Sequence, residues 1–96
     1  MANLRKIKKD IDNRVFEIIS DCYIFSGLHP DVNTKEVAQI VEDAVNLRND
    51  LFSRINNPGE IKDPRLVKKH FRTIKEDLSA NADNLCQRLS KIAKKK

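Results

Sequence analysis

Residues 56–64 read NNPGEIKDP and separate two long segments of helical periodicity. Pro58 and Gly59 disfavour continuation of a helix, whereas Asp63 before Pro64 pairs an N-cap residue with proline at the first helical position. The sequence therefore predicts that one helix ends near residue 56 and that the next begins at residue 64.

The segments on both sides of this break carry apolar residues at spacings of three and four. After the break they are Leu66, Val67, Phe71, Ile74, Leu78, Ala82, Leu85, Leu89 and Ile92. Before it they are Val37, Ile40, Val41, Ala44, Leu47, Leu51, Phe52 and Ile55. Asn33 with Glu36 three residues later is typical of a capping box. These patterns predict helices over about 34–56 and 64–93.

A third segment with the same periodicity opens the chain. Asn3 is a candidate N-cap, and a stripe follows from there to Gly27: Leu4, Ile7, Ile11, Val15, Ile18, Cys22 and Phe25. Glycine readily adopts the left-handed conformation that ends many helices. We therefore expect a helix over about 3–26 with Gly27 as its terminating residue.

Two short connections between three long helices favour antiparallel neighbours. The chain has 96 residues, of which 40% are hydrophobic and 5% aromatic, with only 2 glycines and 3 prolines. This length suits one domain, residues 1–96, and so few turn residues argue against an all-β fold. The predicted fold is all-α, an antiparallel up-down-up three-helix bundle.

Charge is distributed unevenly along the chain, which carries a net charge of +5. Residues 1–14 hold five basic and two acidic side chains, and residues 62–75 hold six basic and one acidic. The proposed topology places both segments at one end of the bundle, so we expect a basic pole there. Its candidate anion-binding residues are Arg5, Lys6, Lys9, Lys62, Arg65, Lys68, Lys69 and Arg72. The hypothesis is that this pole binds nucleic acid or another polyanion; the alternative is a solubilising end whose charge is screened by salt.

Three polar residues lie on or beside the apolar stripes. Arg48 falls on the inward arc of the second helix, at a level near Asp12 and between His70 and Asp77. A guanidinium there needs a counter-charge or a route to solvent. We interpret Arg48, His70 and Asp77 as structural polar residues, with a ligand-binding role as the alternative.

Apolar residues cover nearly half the circumference of the first helix. Phe16 and Tyr23 lie at the edge of the stripe, and Ile24 points away from it. Phe16, Tyr23 and Ile24 are therefore a candidate interface around a two-fold axis. The alternative is that Phe16 and Tyr23 pack beneath the neighbouring helices.

The sequence holds no motif of a known catalytic or cofactor site: there is no glycine-rich phosphate loop, and the Cys-x-x-Cys and His-x-x-x-His spacings of metal sites are absent. Cys22 and Cys86 are most simply buried thiols, with a redox pair as the alternative. No secretory or membrane-length apolar run is present. We expect a cytoplasmic, non-enzymatic interaction or assembly module without cofactor, metal or membrane association. Its partner would be a second copy or another protein; polyanion binding through the basic pole is the competing function.

Overall fold

The computed structural model describes residues 4–32, 34–56 and 63–94. They form three α-helices, α1 (Leu4–Leu28), α2 (Thr34–Asn56) and α3 (Pro64–Lys94), and no strand occurs within these ranges. Every pair of helices is in contact. The predicted all-α three-helix bundle is thus confirmed, and the predicted helix ends differ from the observed ones by no more than one or two residues.

Contacts between helices give the direction of each one. Asp43 and Arg54 of α2 pair with Arg88 and Asp77 of α3, so α3 numbers fall as α2 numbers rise. Asp12 likewise meets Arg48, whereas the later Tyr23 shares a groove with Ala38. The path is therefore up, down and up, in a rod measuring 52 × 18 × 17 Å.

The core follows the apolar stripes of all three helices. Cys22 of α1, Leu51 of α2 and Ile74 of α3 have no exposed surface. The remaining buried core residues are Ile7, Ile11, Val15, Ile18, Phe25, Val37, Ile40, Ala44, Ile55, Phe71, Ala82, Leu85 and Ile92. No polar or charged residue is buried in the described part of the chain. The core is therefore mainly aliphatic, with Phe25 and Phe71 as its aromatic members, and its burial is the main stabilising contribution.

The start of α3 has the predicted geometry. Oδ1 of Asp63 accepts a 2.9 Å hydrogen bond from the backbone N–H of Arg65. The Asp63 carbonyl oxygen also accepts the N–H groups of Leu66 and Val67, at 3.0 and 3.1 Å. Pro64 occupies the first helical position, where its missing N–H costs nothing. Asp63 is therefore the N-cap of α3.

The prediction that a left-handed Gly27 ends α1 is wrong. The helix continues to Leu28, Gly27 has no positive φ, and the N–H of His29 donates to the Phe25 carbonyl at 2.8 Å. Pro30 explains the end, because proline disfavours helical geometry in the residue before it. A turn then forms in which the Val32 N–H donates to the His29 carbonyl at 3.1 Å.

Several sequence-based predictions fall outside the described residues. These are the N-caps Asn3 and Asn33, the helix-breaking pair Pro58 and Gly59, and Lys62 of the basic pole. Within the described ranges, none of the helices has a stretch apolar and long enough to traverse a bilayer.

Candidate functional site

The outward side of α1 exposes four large apolar side chains. Phe16 and Leu28 are 70% exposed, Tyr23 is 67% exposed and Ile24 is 61% exposed. Neither Phe16 nor Tyr23 packs beneath α2 or α3. The first helix therefore contributes one apolar stripe to the core and presents a second apolar surface to solvent.

Small residues separate the large ones on this surface. Phe16, Ser20, Tyr23 and Gly27 follow one another at spacings of four, three and four, which aligns them along one side of a helix. Large and small side chains alternate along that line. We call the set Phe16, Ser20, Tyr23, Ile24, Gly27 and Leu28 the α1 face.

Shallow grooves flank the α1 face on both sides. One groove, with a volume of about 340 Å³, runs between α1 and α3 and is lined mainly by Ile24, Phe25, Leu28, Cys86, Leu89 and Ala93. On the other side, Tyr23 borders a groove with Ala38 and Val41 of α2. The apolar surface thus extends from the α1 face onto both neighbouring helices.

Arg48 pairs with Asp12, which the sequence placed at its level. Its Nε donates to Oδ1 of Asp12 at 2.6 Å, and its guanidinium lies 4.1 Å from the centre of the Phe52 ring. The Arg48 side chain remains 40% exposed. Arg48 therefore lies at the α1–α2 seam and makes a structural ion pair and a cation–π contact.

His70 and Asp77 contact Arg54, not Arg48. Nε2 of His70 donates to the Arg54 carbonyl oxygen at 2.9 Å, and Nη1 of Arg54 lies 2.8 Å from Oδ2 of Asp77. That carbonyl belongs to the last turn of α2, where helical carbonyls lack partners within the helix. His70 and Asp77 therefore tie the end of α2 to α3. Sequence reasoning missed Arg54, because its role depends on how α3 is shifted along α2.

Two further ion pairs joining helices also escaped the sequence-based reasoning. Arg14 of α1 meets Asp83 of α3 at 3.1 Å, and Arg88 of α3 meets Asp43 of α2 at 2.7 Å. Hydrogen bonds from Arg88 and then Gln39 hold the pKa of the Asp43 carboxyl below its ordinary value. The only sequence signal was the presence of opposite charges on different helices. Which of these charges meet depends on how far the helices are shifted along one another, and that shift is known only once the helices are packed.

The basic pole is present at one end of the bundle, but its two segments are staggered. The Arg14–Asp83 contact aligns α1 with α3, so at 1.5 Å per residue Lys68 lies about 9 Å beyond the level of Arg5. On α3, Arg65, Lys68, Lys69 and Arg72 are exposed and share one side at spacings of three, four and seven from Arg65. The exposed Arg5, Lys6 and Lys9 lie further along the rod, on α1.

The two cysteines are both reduced thiols, Cys22 buried and Cys86 partly buried. Burial, with smaller contributions from Asp21 and Cys86, raises the pKa of the Cys22 thiol above its ordinary value. The described residues include no group of three or more histidine, cysteine, aspartate or glutamate side chains that could hold a metal ion.

Comparisons of the chain with protein-family models, curated proteins and solved structures find no match. The α1 face and the basic pole are the two candidate functional sites of the described chain.

Proposed function

We propose that this chain is a non-enzymatic interaction or assembly module that binds protein, a second copy of the chain first of all, through the α1 face. The observation that carries the proposal is the 61–70% exposure of Phe16, Tyr23, Ile24 and Leu28 on a single helix. Apolar surface removed from water contributes roughly 25 cal/mol per Å². Covering this face with another protein surface is therefore favourable.

The folded chain does not need these side chains for its own core. The inward side of α1 is filled by the buried residues Ile11, Ile18 and Cys22, none more than 1% exposed. Phe16 and Tyr23 project on the opposite side, where polar residues are the rule for a helix on the surface of a bundle. A cluster of exposed large apolar residues marks an interaction surface more often than scattered ones do.

A photo-crosslinking amino acid placed at Tyr23 in cells tests this function. Gln87, exposed on α3, is the matched control position. We expect a discrete protein adduct from position 23 that is lost when Phe16 is replaced by serine, with no such adduct from position 87. Equal crosslinking from both positions, or none from position 23, would contradict the proposal.

Polyanion binding through the basic pole is the second candidate function. Within the described residues, the inter-helix ion pairs given above use Arg14, Arg48, Arg54 and Arg88, and these four lie outside the basic side of α3. That side, Arg65 to Arg72, extends beyond the start of α1 and supports binding of phosphate groups.

Titration with a short DNA duplex at two salt concentrations tests this second function. We expect K68Q/K69Q to weaken binding and higher salt to weaken it further, whereas K91Q/K94Q, near the other end of α3, leaves it nearly unchanged. Binding that ignores both the salt and the pole variants would contradict polyanion recognition at this pole. For either function we propose a cytoplasmic location, which cell fractionation can test.

A further inference from the structure

We infer that the α1 face packs antiparallel against the α1 face of a second copy, around a two-fold axis at the level of residues 21 and 22. This inference rests on the proposed function and specifies its occupant. It follows from the order of large and small residues, from the charges at the two ends of the face, and from the exposed area.

The order of residues along the α1 face is self-complementary in the antiparallel direction. With the axis at this level, Phe16 of each copy lies opposite Gly27 of the other, and Tyr23 lies opposite Ser20. Each pair of residues that face each other at one level forms a layer, and each of these layers then combines one large and one small side chain. Facing helices interdigitate without voids in this way. Because the two chains are identical, each contact occurs twice around the axis.

A parallel arrangement of the same two helices is less favourable. Phe16 would meet Phe16 and Tyr23 would meet Tyr23, while the layers of Ser20 and Gly27 would leave gaps. Lys9, which lies on the same side of α1 two turns before Phe16, would also face Lys9 of the second copy. Like charges at that position oppose the parallel dimer.

The antiparallel arrangement instead separates the two Lys9 side chains. With the axis between residues 21 and 22, Lys9 lies about 9 Å beyond Leu28, the last residue of α1 in the second copy, and so far from the other Lys9. The last turn of α1 contains no basic residue. Since a helix C-terminus carries partial negative charge, Lys9 of the other copy meets no like charge at this end of α1.

The exposed area is sufficient for a specific but modest dimer. From their exposed fractions, the four large side chains present about 500 Å² of apolar surface per copy, given about 150–250 Å² for an aromatic side chain. Two copies would then cover about 1,000 Å², near the lower bound for a specific interface. We therefore expect a dissociation constant in the micromolar range.

Exchange of Ser20 and Tyr23 between their two positions tests the pairing directly. S20Y places two tyrosines in one layer, and Y23S leaves two serines in one layer; the combined variant S20Y/Y23S restores one large and one small residue. In sedimentation equilibrium we expect the mass of the wild-type chain to rise from 11.1 kDa towards twice that value with concentration. Each single variant should weaken association at least about tenfold, and the combined variant should recover to within about threefold of wild type.

The controls separate this inference from the function on which it rests. Circular dichroism should show equal helix content in all four chains, because Tyr23 is mostly exposed and Ser20 lies outside the core. A wild-type mass that stays at 11.1 kDa up to several hundred micromolar overturns the dimer, as does a combined variant as weak as the worse single one. If Tyr23 still crosslinks specifically to another protein in that case, the interaction function stands and only its occupant is wrong. If it does not, both fail.

Discussion

Arg88 of α3 donates a hydrogen bond from Nη1 to Oδ2 of Asp43 in α2, at 2.7 Å. Eleven residues along α2 and eleven back along α3, Arg54 meets Asp77 at 2.8 Å in the same register. Two ion pairs with the same offset fix how far α3 slides along α2. Their side chains are partly exposed, so they define register more than they add stability.

Asp43→Asn should lower stability at neutral pH and lose its effect in acid. Hydrogen bonds from Arg88 and Gln39 lower the pKa of Asp43 in the folded chain from an ordinary value of 3.8. The stabilisation from these hydrogen bonds is therefore fully present above the pKa that Asp43 has in the unfolded chain. It is lost as the pH falls through the lower pKa that Asp43 has in the folded chain. We expect a cost of about 0.5 kcal/mol at pH 7 in urea denaturation, after discounting for solvent screening. A difference between the two chains that did not shrink as the pH fell below 3.8 would contradict this. Glu42→Gln on the same helix is the control.

Leu51→Ala should destabilise the bundle strongly, whereas Leu66→Ala should not. Leu51 is completely buried and Leu66 is 52% exposed, so only the first substitution leaves a cavity. We expect a loss of about 2–4 kcal/mol in the free energy of unfolding for Leu51→Ala and less than about 0.5 kcal/mol for Leu66→Ala. Chemical denaturation at micromolar concentration measures both, and similar losses at the two sites would be inconsistent with this core.

Gly27→Ala should stabilise the isolated chain. Gly27 lies in helical backbone with no positive φ, and a Cβ atom there meets nothing within 4 Å. Alanine therefore improves helix propensity by about 0.5–1 kcal/mol. Thermal unfolding of dilute protein measures whether the substitution raises or lowers the stability. If Gly27 were left-handed, the substitution would instead be destabilising.

Cys86 should react with thiol reagents before Cys22. Cys22 has no exposed surface, and burial raises the pKa of its thiol, which leaves less of the reactive thiolate at neutral pH. We expect labelling of Cys86 to be at least about tenfold faster. Comparing C22A with C86S in the native state assigns the two rates, and equal rates would argue against burial of Cys22.

The helices could be predicted from the sequence because their signals are local. Asp63 and Pro64 mark the start of α3 within two residues. The apolar spacing identifies most of the buried positions, although Leu66 on the predicted stripe of α3 is 52% exposed. The prediction that Gly27 ends α1 was wrong because Pro30, three residues later, determines where the helix ends. Glycine permits a left-handed end but does not impose one.

The exposed or paired state of individual side chains could not be predicted in the same way. Phe16 and Tyr23 lie at the edge of a wide apolar arc, where a small rotation of α1 decides between burial and exposure. Arg54 could not be assigned to Asp77, because that contact depends on the shift of α3 along α2. Asp12 was recognisable as a neighbour of Arg48, since a short connection fixes the register of α1 and α2.

Fluorescence quenching of Tyr23 measures most directly whether the α1 face becomes covered. The chain has 1 tyrosine and no tryptophan, so its intrinsic tyrosine emission reports only on position 23. We predict that acrylamide quenches this emission efficiently in dilute protein, where Tyr23 is 67% exposed. The quenching constant should then fall at least about twofold as concentration rises through the micromolar range and two copies cover each other's α1 face. A quenching constant that stays high at every concentration would contradict burial of Tyr23 between two copies.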